Sequence, residues 1–146
     1  MTSIPLFIYG TLRDPDILAA VLGRHVPAAA LQAATAQGYK CVYYPGQVYP
    51  ALLANAGSFA PGALLRDLSD ADLAVLDAYE GQEYRRETIV VRTGDGEKPA
   101  LAYLPTQNIA ADAPAWTLET WRADHKPTVL THETKVAKQA REKLQS

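Results

Sequence analysis

Residues 84–105, YRRETIVVRTGDGEKPALAYLP, limit the possible folds more than any other stretch of this chain. Two β-prone runs, 85–93 and 99–104, flank Gly94-Asp95-Gly96, which has the composition of a hairpin turn. The segment just before it, LSDADLAVLDAYEG, reads as a helix. Ser69 is a good N-cap, and Asp70 and Asp72 sit where the helix dipole favours acids. Leu73, Leu76 and Tyr79 recur every third residue, with Val75 widening the buried face. Gly81 fits the position just past the helix end.

Residues 4–9 read as a buried strand that Gly10 ends. Asp14 and Pro15 read as an N-cap followed by proline at the first helical position. They open a helix to Leu22, with Ile17, Leu18, Val21 and Leu22 on one face and Gly23 as the stop. The Ala-rich 28–37 is expected to be strand, and 38–44 is strand on the strength of Tyr39, Val42, Tyr43 and Tyr44. YYPGQVYPALL reads as a loop running into a short strand at 51–54, and 62–68 as a separate strand. After Pro105 come a loop, a short helix at 116–124 and a terminal helix at 128–144. The terminal helix has Val129, Val136, Ala140 and Leu144 as its apolar stripe. Strands with helices inserted between them make an α+β pattern rather than a regular βαβ alternation.

The 146 residues suffice for one domain with a core. A formal charge of −2 and the lack of a long Lys/Arg run argue against a nucleic-acid partner. One cysteine, Cys41, permits no intrachain disulfide, and its strand context makes it a core residue rather than a nucleophile. The N-terminal apolar run is too short for a signal peptide or a membrane span, so the expectation is a soluble, cytoplasmic protein without a membrane partner. His25, His125 and His132 are far apart, and HETKV lacks the second histidine of a zinc helix, so no metal is expected.

Two stretches carry chemistry. GTLR, residues 10–13, sits between strand and helix. It is either a tight structural turn, which the local pattern favours, or a seat for a small anion built from free amides at a helix start. LDAYEGQEYRR, residues 76–86, gathers acids and arginines at a helix end. Glu80 falls in the last turn, where the dipole disfavours negative charge, and Asp77 is one turn away on the same side. A carboxylate so placed and partly buried has its pKa raised toward the range of a general base. The competing reading is a solvated helix end whose acids pair with Arg85 and Arg86. Tyr43, Tyr44 and Tyr49 can line a pocket mouth, and Tyr103 can offer a phenol to a pocket; core packing explains each as well.

Tyr9-Gly10-Thr11-Leu12, followed by Leu76-Asp77 with Glu80-Gly81, Tyr84 and Arg86, and by the strand pair ending in AYLP, resembles the γ-glutamylcyclotransferase and AIG2-like family. The resemblance runs from Phe7 to about Tyr103. It implies a γ-glutamylcyclotransferase-like fold, a mixed β-barrel-like sheet with surrounding helices. That gives a single domain over 1–146, with 116–146 as a C-terminal helical extension. It implies an enzyme that cyclises a γ-glutamyl amide or peptide to 5-oxoproline and releases the amine. Glu80 matches the family's essential glutamate, with Glu83 as a second acid in the same loop. Tyr9, Gly10, Thr11 and Leu12 match its substrate loop, and Tyr103 joins them as a candidate substrate contact. The partner is a small γ-glutamyl molecule, and the chemistry requires no metal, nucleotide or other cofactor. A non-catalytic module binding a small carboxylate or γ-glutamyl group is the alternative on the same fold.

Overall fold

In the computed structural model, which describes residues 4–145, five strands build one sheet. The strands are β1 (Leu6–Ile8), β2 (Leu31–Tyr43), β3 (Pro50–Leu65), β4 (Tyr84–Thr93) and β5 (Gly96–Pro105). They close into a barrel in the order β1-β3-β2-β4-β5. Every pairing is antiparallel except β1 with β5, which is parallel at Leu6 and Leu101. The expected α+β class and mixed barrel are therefore present. Along β4 the period of two is visible: Ile89, Val91 and Thr93 are buried, while Val90 and Arg92 are exposed.

One apolar cluster draws on all five strands, among them Phe7, Ala36, Leu52, Ile89 and Ala102. Its many alanines suit the narrow space inside a small barrel. A second cluster joins Leu6, Ile8 and Leu65 to the helices through Ile17, Leu76, Trp116 and Trp121.

Helix α1 (Pro15–Leu22) starts as the sequence indicates. Asp14 accepts hydrogen bonds from the amides of Asp16 and Ile17, and Pro15 follows it. Helix α2 (Asp70–Glu80) opens with a reciprocal capping box between Ser69 and Asp72. The hairpin of β4 and β5 turns at Gly94 and Asp95.

Three expectations need correction. Residues 51–54 and 62–68 are not two strands but parts of the single β3, which ends at Leu65. The break read at Asn55–Pro61 is an irregularity within it: Gln37 pairs with Phe59, yet Tyr39 pairs with Ala54. Gly57 turns the extra residues at φ 85°, a conformation open to a residue without Cβ. Pro61 lies just before the segment where β1 covers the second edge of β3, so no ladder is broken there. Second, Ala28–Ala30 form a short 3-10 turn, and β2 begins only at Leu31.

Third, the C-terminal region is one continuous helix, not two. It runs from α3 (Leu118–Thr120) through a π turn (Trp121–His125) into α4 (Lys126–Gln145). The Lys126 amide bonds to the Trp121 carbonyl five residues back. That wider turn comes immediately before Pro127, whose ring would clash with the carbonyl of a regular helix. The α4 stripe holds Val129, Val136 and Ala140 as expected; the side chain of Leu144 lies outside the described residues.

Asp14 also fixes this helix. Its fully buried carboxylate meets Arg122 Nε and Lys126 Nζ at 3.0 Å each. Burial alone would raise its pKa, but hydrogen bonds from Lys126 and Arg122 outweigh it and hold the carboxyl below its ordinary range. Among the described residues, no helix is long and apolar enough to cross a membrane.

Candidate active site

After β1 the chain turns at Gly10 and makes a 3-10 turn over Thr11–Arg13 before Asp14 caps α1. A Cβ on Gly10 would stand 2.7 Å from Pro50 Cγ, so the close approach of β3 requires glycine here. The turn is closed by Arg13 N to Gly10 O at 3.0 Å and Asp14 N to Thr11 O at 2.9 Å. The amides of Thr11 and Leu12 belong to the first turn, whose N–H groups have no acceptor within the helix. Tyr9, Gly10, Thr11 and Leu12 all border a cavity of about 370 Å³.

Glu80, at the last position of α2, borders the same cavity. Glu83, from the 3-10 turn that follows, borders it too, as do Tyr84 of β4 and Tyr103 of β5. The loop before β3 contributes Gln47, Val48 and Tyr49. Helix α4 closes another side with Val129, His132, Glu133 and Val136. The fold thus brings Tyr9, Gly10, Thr11, Leu12, Glu80, Glu83 and Tyr103 to one cavity.

Glu80 is half-buried, and its pKa is raised to about 8. Loss of hydration is the main cause, followed by the negative charges of Glu133, Glu83 and Asp77. Among the described residues, no side chain hydrogen-bonds or ion-pairs with it. The arginines are committed elsewhere: Arg86 pairs with Asp77 at 3.3 Å, and Arg85 pairs with Glu87. The reading of a helix end neutralised by Arg85 and Arg86 therefore holds for Asp77 but not for Glu80.

The tyrosines form a fixed frame. Tyr9 is buried and donates to the Tyr103 carbonyl at 2.5 Å, which ties β1 to β5. Tyr103 donates to Asp77 Oδ1 at 2.7 Å. Tyr84 donates to the Pro50 carbonyl at 2.5 Å, and the Tyr84, Tyr44 and Tyr49 rings pack on one another. Burial first, and nearby acids second, push the phenols of Tyr49 and Tyr103 well above their usual pKa. Of the three tyrosines at 43–49, only Tyr49 borders the cavity. Tyr44 packs against it at a tilt of 52°, and Tyr43 packs edge-on against His125. Burial pushes the Cys41 thiol up to about 12, so it is no nucleophile near neutrality.

Sequence reasoning missed Glu133 and Tyr79. The Tyr79 hydroxyl donates to Glu133 Oε2, joining α2 to α4 beside Glu80. One signal was present. Glu133 is four residues after Val129 and three before Val136, so it sits in the register of the apolar stripe. A glutamate there must face other protein or a cavity.

Residues 6–123 match the family described as "Gamma-glutamyl cyclotransferase, AIG2-like". AIG2-like protein A of Arabidopsis thaliana is 31% identical over 124 residues, covering 83% of this chain and 73% of that protein. A solution structure of another Arabidopsis thaliana protein superposes with a TM-score of 0.66 at 26% identity, covering 88% of this chain and 87% of the other. A solved gamma-glutamyl cyclotransferase shares the fold, with a TM-score of 0.62 at 19% identity over 91% of this chain and 85% of its own. The family match spans the whole barrel, the 9–12 turn and the acid at the end of α2. This chain belongs to the gamma-glutamyl cyclotransferase, AIG2-like family.

Proposed function

We propose that this protein cyclises a γ-glutamyl amide or peptide to 5-oxoproline, releasing the amine, with Glu80 as the acid–base group. The observation that carries this reading is the Glu80 carboxyl itself. It borders the same cavity as Gly10, Thr11 and Leu12, has no side-chain partner among the described residues, and has its pKa lifted to about 8.

The chemistry follows from that arrangement. A substrate α-ammonium cannot attack until it loses a proton, and Glu80 takes it. The freed amine nitrogen then attacks the γ-carbonyl carbon within the same molecule. Glu80 gives that proton to the departing nitrogen, the C–N bond breaks, and the carboxylate so regenerated takes the surplus proton from the ring nitrogen, leaving the neutral five-membered lactam and passing the proton to solvent. Attack is intramolecular, so a cavity that holds the glutamyl chain folded supplies much of the rate. The amides of Gly10, Thr11 and Leu12 hold the α-carboxylate or another substrate oxygen. Tyr9 and Tyr103 shape the floor, with their hydroxyls engaged by Tyr103 O and Asp77.

The test is incubation of purified protein with γ-glutamyl amino acids, γ-glutamyl-lysine-type amines and glutathione, with 5-oxoproline read by mass spectrometry. Turnover of at least one class is expected. Binding of glutamate or 5-oxoproline with no turnover of any compound would overturn the reading in favour of a binding module.

A further inference from the structure

Helix α4 lies beyond the span matched to the family, which ends at residue 123. It nevertheless forms one wall of the cavity. Glu133 is the charged member of that wall, set between Val129 and Val136 on the inward stripe. A carboxylate in such a position is costly unless it is bonded. Its bond comes from the Tyr79 hydroxyl. Tyr79 directly precedes Glu80, so this bond secures the part of α2 that delivers Glu80 to the cavity.

We propose that Glu133 is a positioning residue for the cyclisation: it anchors the Glu80-bearing end of α2 through Tyr79 and presents a second negative charge to the Glu80 carboxyl. The proposal rests on the reading of Glu80 as the acid–base group. Glu133 is the foremost of the charges acting on Glu80, ahead of Glu83 and Asp77. The other titratable groups facing Glu80 are phenols and one imidazole. Tyr79 comes from α2, Tyr9 from the end of β1, and Tyr84 and Tyr103 from the hairpin. Tyr49 and His132 complete the cavity wall. Among the described residues no arginine or lysine lines the cavity to offset Glu133.

The test reads Glu80 directly. Carboxyl-labelled glutamate permits a ¹³C NMR titration, with the Glu80 signal assigned by its loss in Glu80→Gln. Glu133→Gln keeps a carbonyl that accepts from Tyr79, so the fold is retained while the charge is removed. Glu142→Gln is the control, because Glu142 is exposed on the same helix and pairs with Lys138 at 3.9 Å. The Glu80 midpoint is expected to fall by about half a pH unit or more in Glu133→Gln and to stay in place in the control. The acid limb of kcat/KM for 5-oxoproline formation should move by the same amount. An unchanged midpoint, or an equal fall in the control, overturns the proposal. Tyr79→Phe removes the bond but keeps the charge, so kcat should drop while the acid limb stays near its wild-type position. An unchanged kcat overturns the anchoring role. A wild-type protein without turnover whose midpoint still falls in Glu133→Gln would sustain the coupling and overturn the functional reading alone.

Discussion

The Tyr49 hydroxyl stands 2.5 and 2.6 Å from the two carboxylate oxygens of Glu83. That contact separates two acids only three residues apart in sequence. Glu83 is occupied at both ends: its main-chain carbonyl also accepts from the Tyr44 hydroxyl at 3.0 Å and the Thr106 amide at 2.9 Å. Glu80 has no comparable partner among the described residues, so its oxygens are free for a substrate.

Glu83→Gln should therefore keep turnover within roughly tenfold of wild type, since the frame is loosened but the base remains. Initial rates of 5-oxoproline release decide it. A loss as deep as that of Glu80→Gln would move the base to Glu83.

The raised Glu80 pKa has two consequences with defined signs. As a base it must be ionised, so kcat/KM should rise with pH along an acid limb centred near 8. For folding, the native state holds this proton more tightly than the unfolded chain. The group therefore costs no stability below pH 4.5, and an increasing amount as pH rises from there to about 8. Glu80→Gln should melt at a higher temperature than wild type at pH 9, with the difference vanishing near pH 4. A pH-independent difference would contradict the burial of this carboxyl.

Gly10→Ala places a methyl group 2.7 Å from Pro50 Cγ. The turn or β3 must shift, at a cost of about 1–3 kcal/mol. The displaced amides should also raise KM for a γ-glutamyl substrate. Thermal denaturation and steady-state kinetics read the two effects, and an unchanged KM would detach the 10–12 turn from substrate binding.

Asp14→Asn removes the negative charge that neutralises Arg122 and Lys126 beside the π turn. Both cations retain solvent contact, so the loss at pH 7 should be about 2–4 kcal/mol, below that of a wholly buried pair. The Asp14 pKa is depressed on folding, so its contribution is present above the unfolded value of 3.8 and fades as pH falls below it. Urea titrations at pH 7 and pH 3 should show the gap between wild type and Asp14→Asn narrowing with acid.

Features set by neighbours in sequence are legible in the residues themselves. The Asp14 cap with Pro15, the Ser69 cap and a hairpin turn at Gly94-Asp95 each depend on contacts a few residues long, and each is present, although Gly96, read as part of the turn, already belongs to β5. That Glu80 ends α2 is legible from the helix period and Gly81, whereas the charge order alone also fits a solvated helix end and only the family resemblance singles Glu80 out. Features set by distant partners are not. β3 stays one strand because β2 pairs with both halves of it, across residues that locally favour a break. The continuous C-terminal helix depends on a π turn before Pro127, which periodicity does not encode. Glu133 meets Tyr79 across 54 positions, so only tertiary packing reveals that α4 joins the cavity.

The central claim is that the Glu80 carboxyl moves the proton during lactam formation. The most direct measurement compares wild type and Glu80→Gln for 5-oxoproline release from the best γ-glutamyl substrate, with circular dichroism to show that both are folded. A folded variant with turnover reduced by about a hundredfold or more is the predicted result. A folded variant that releases 5-oxoproline at the wild-type rate would contradict the account.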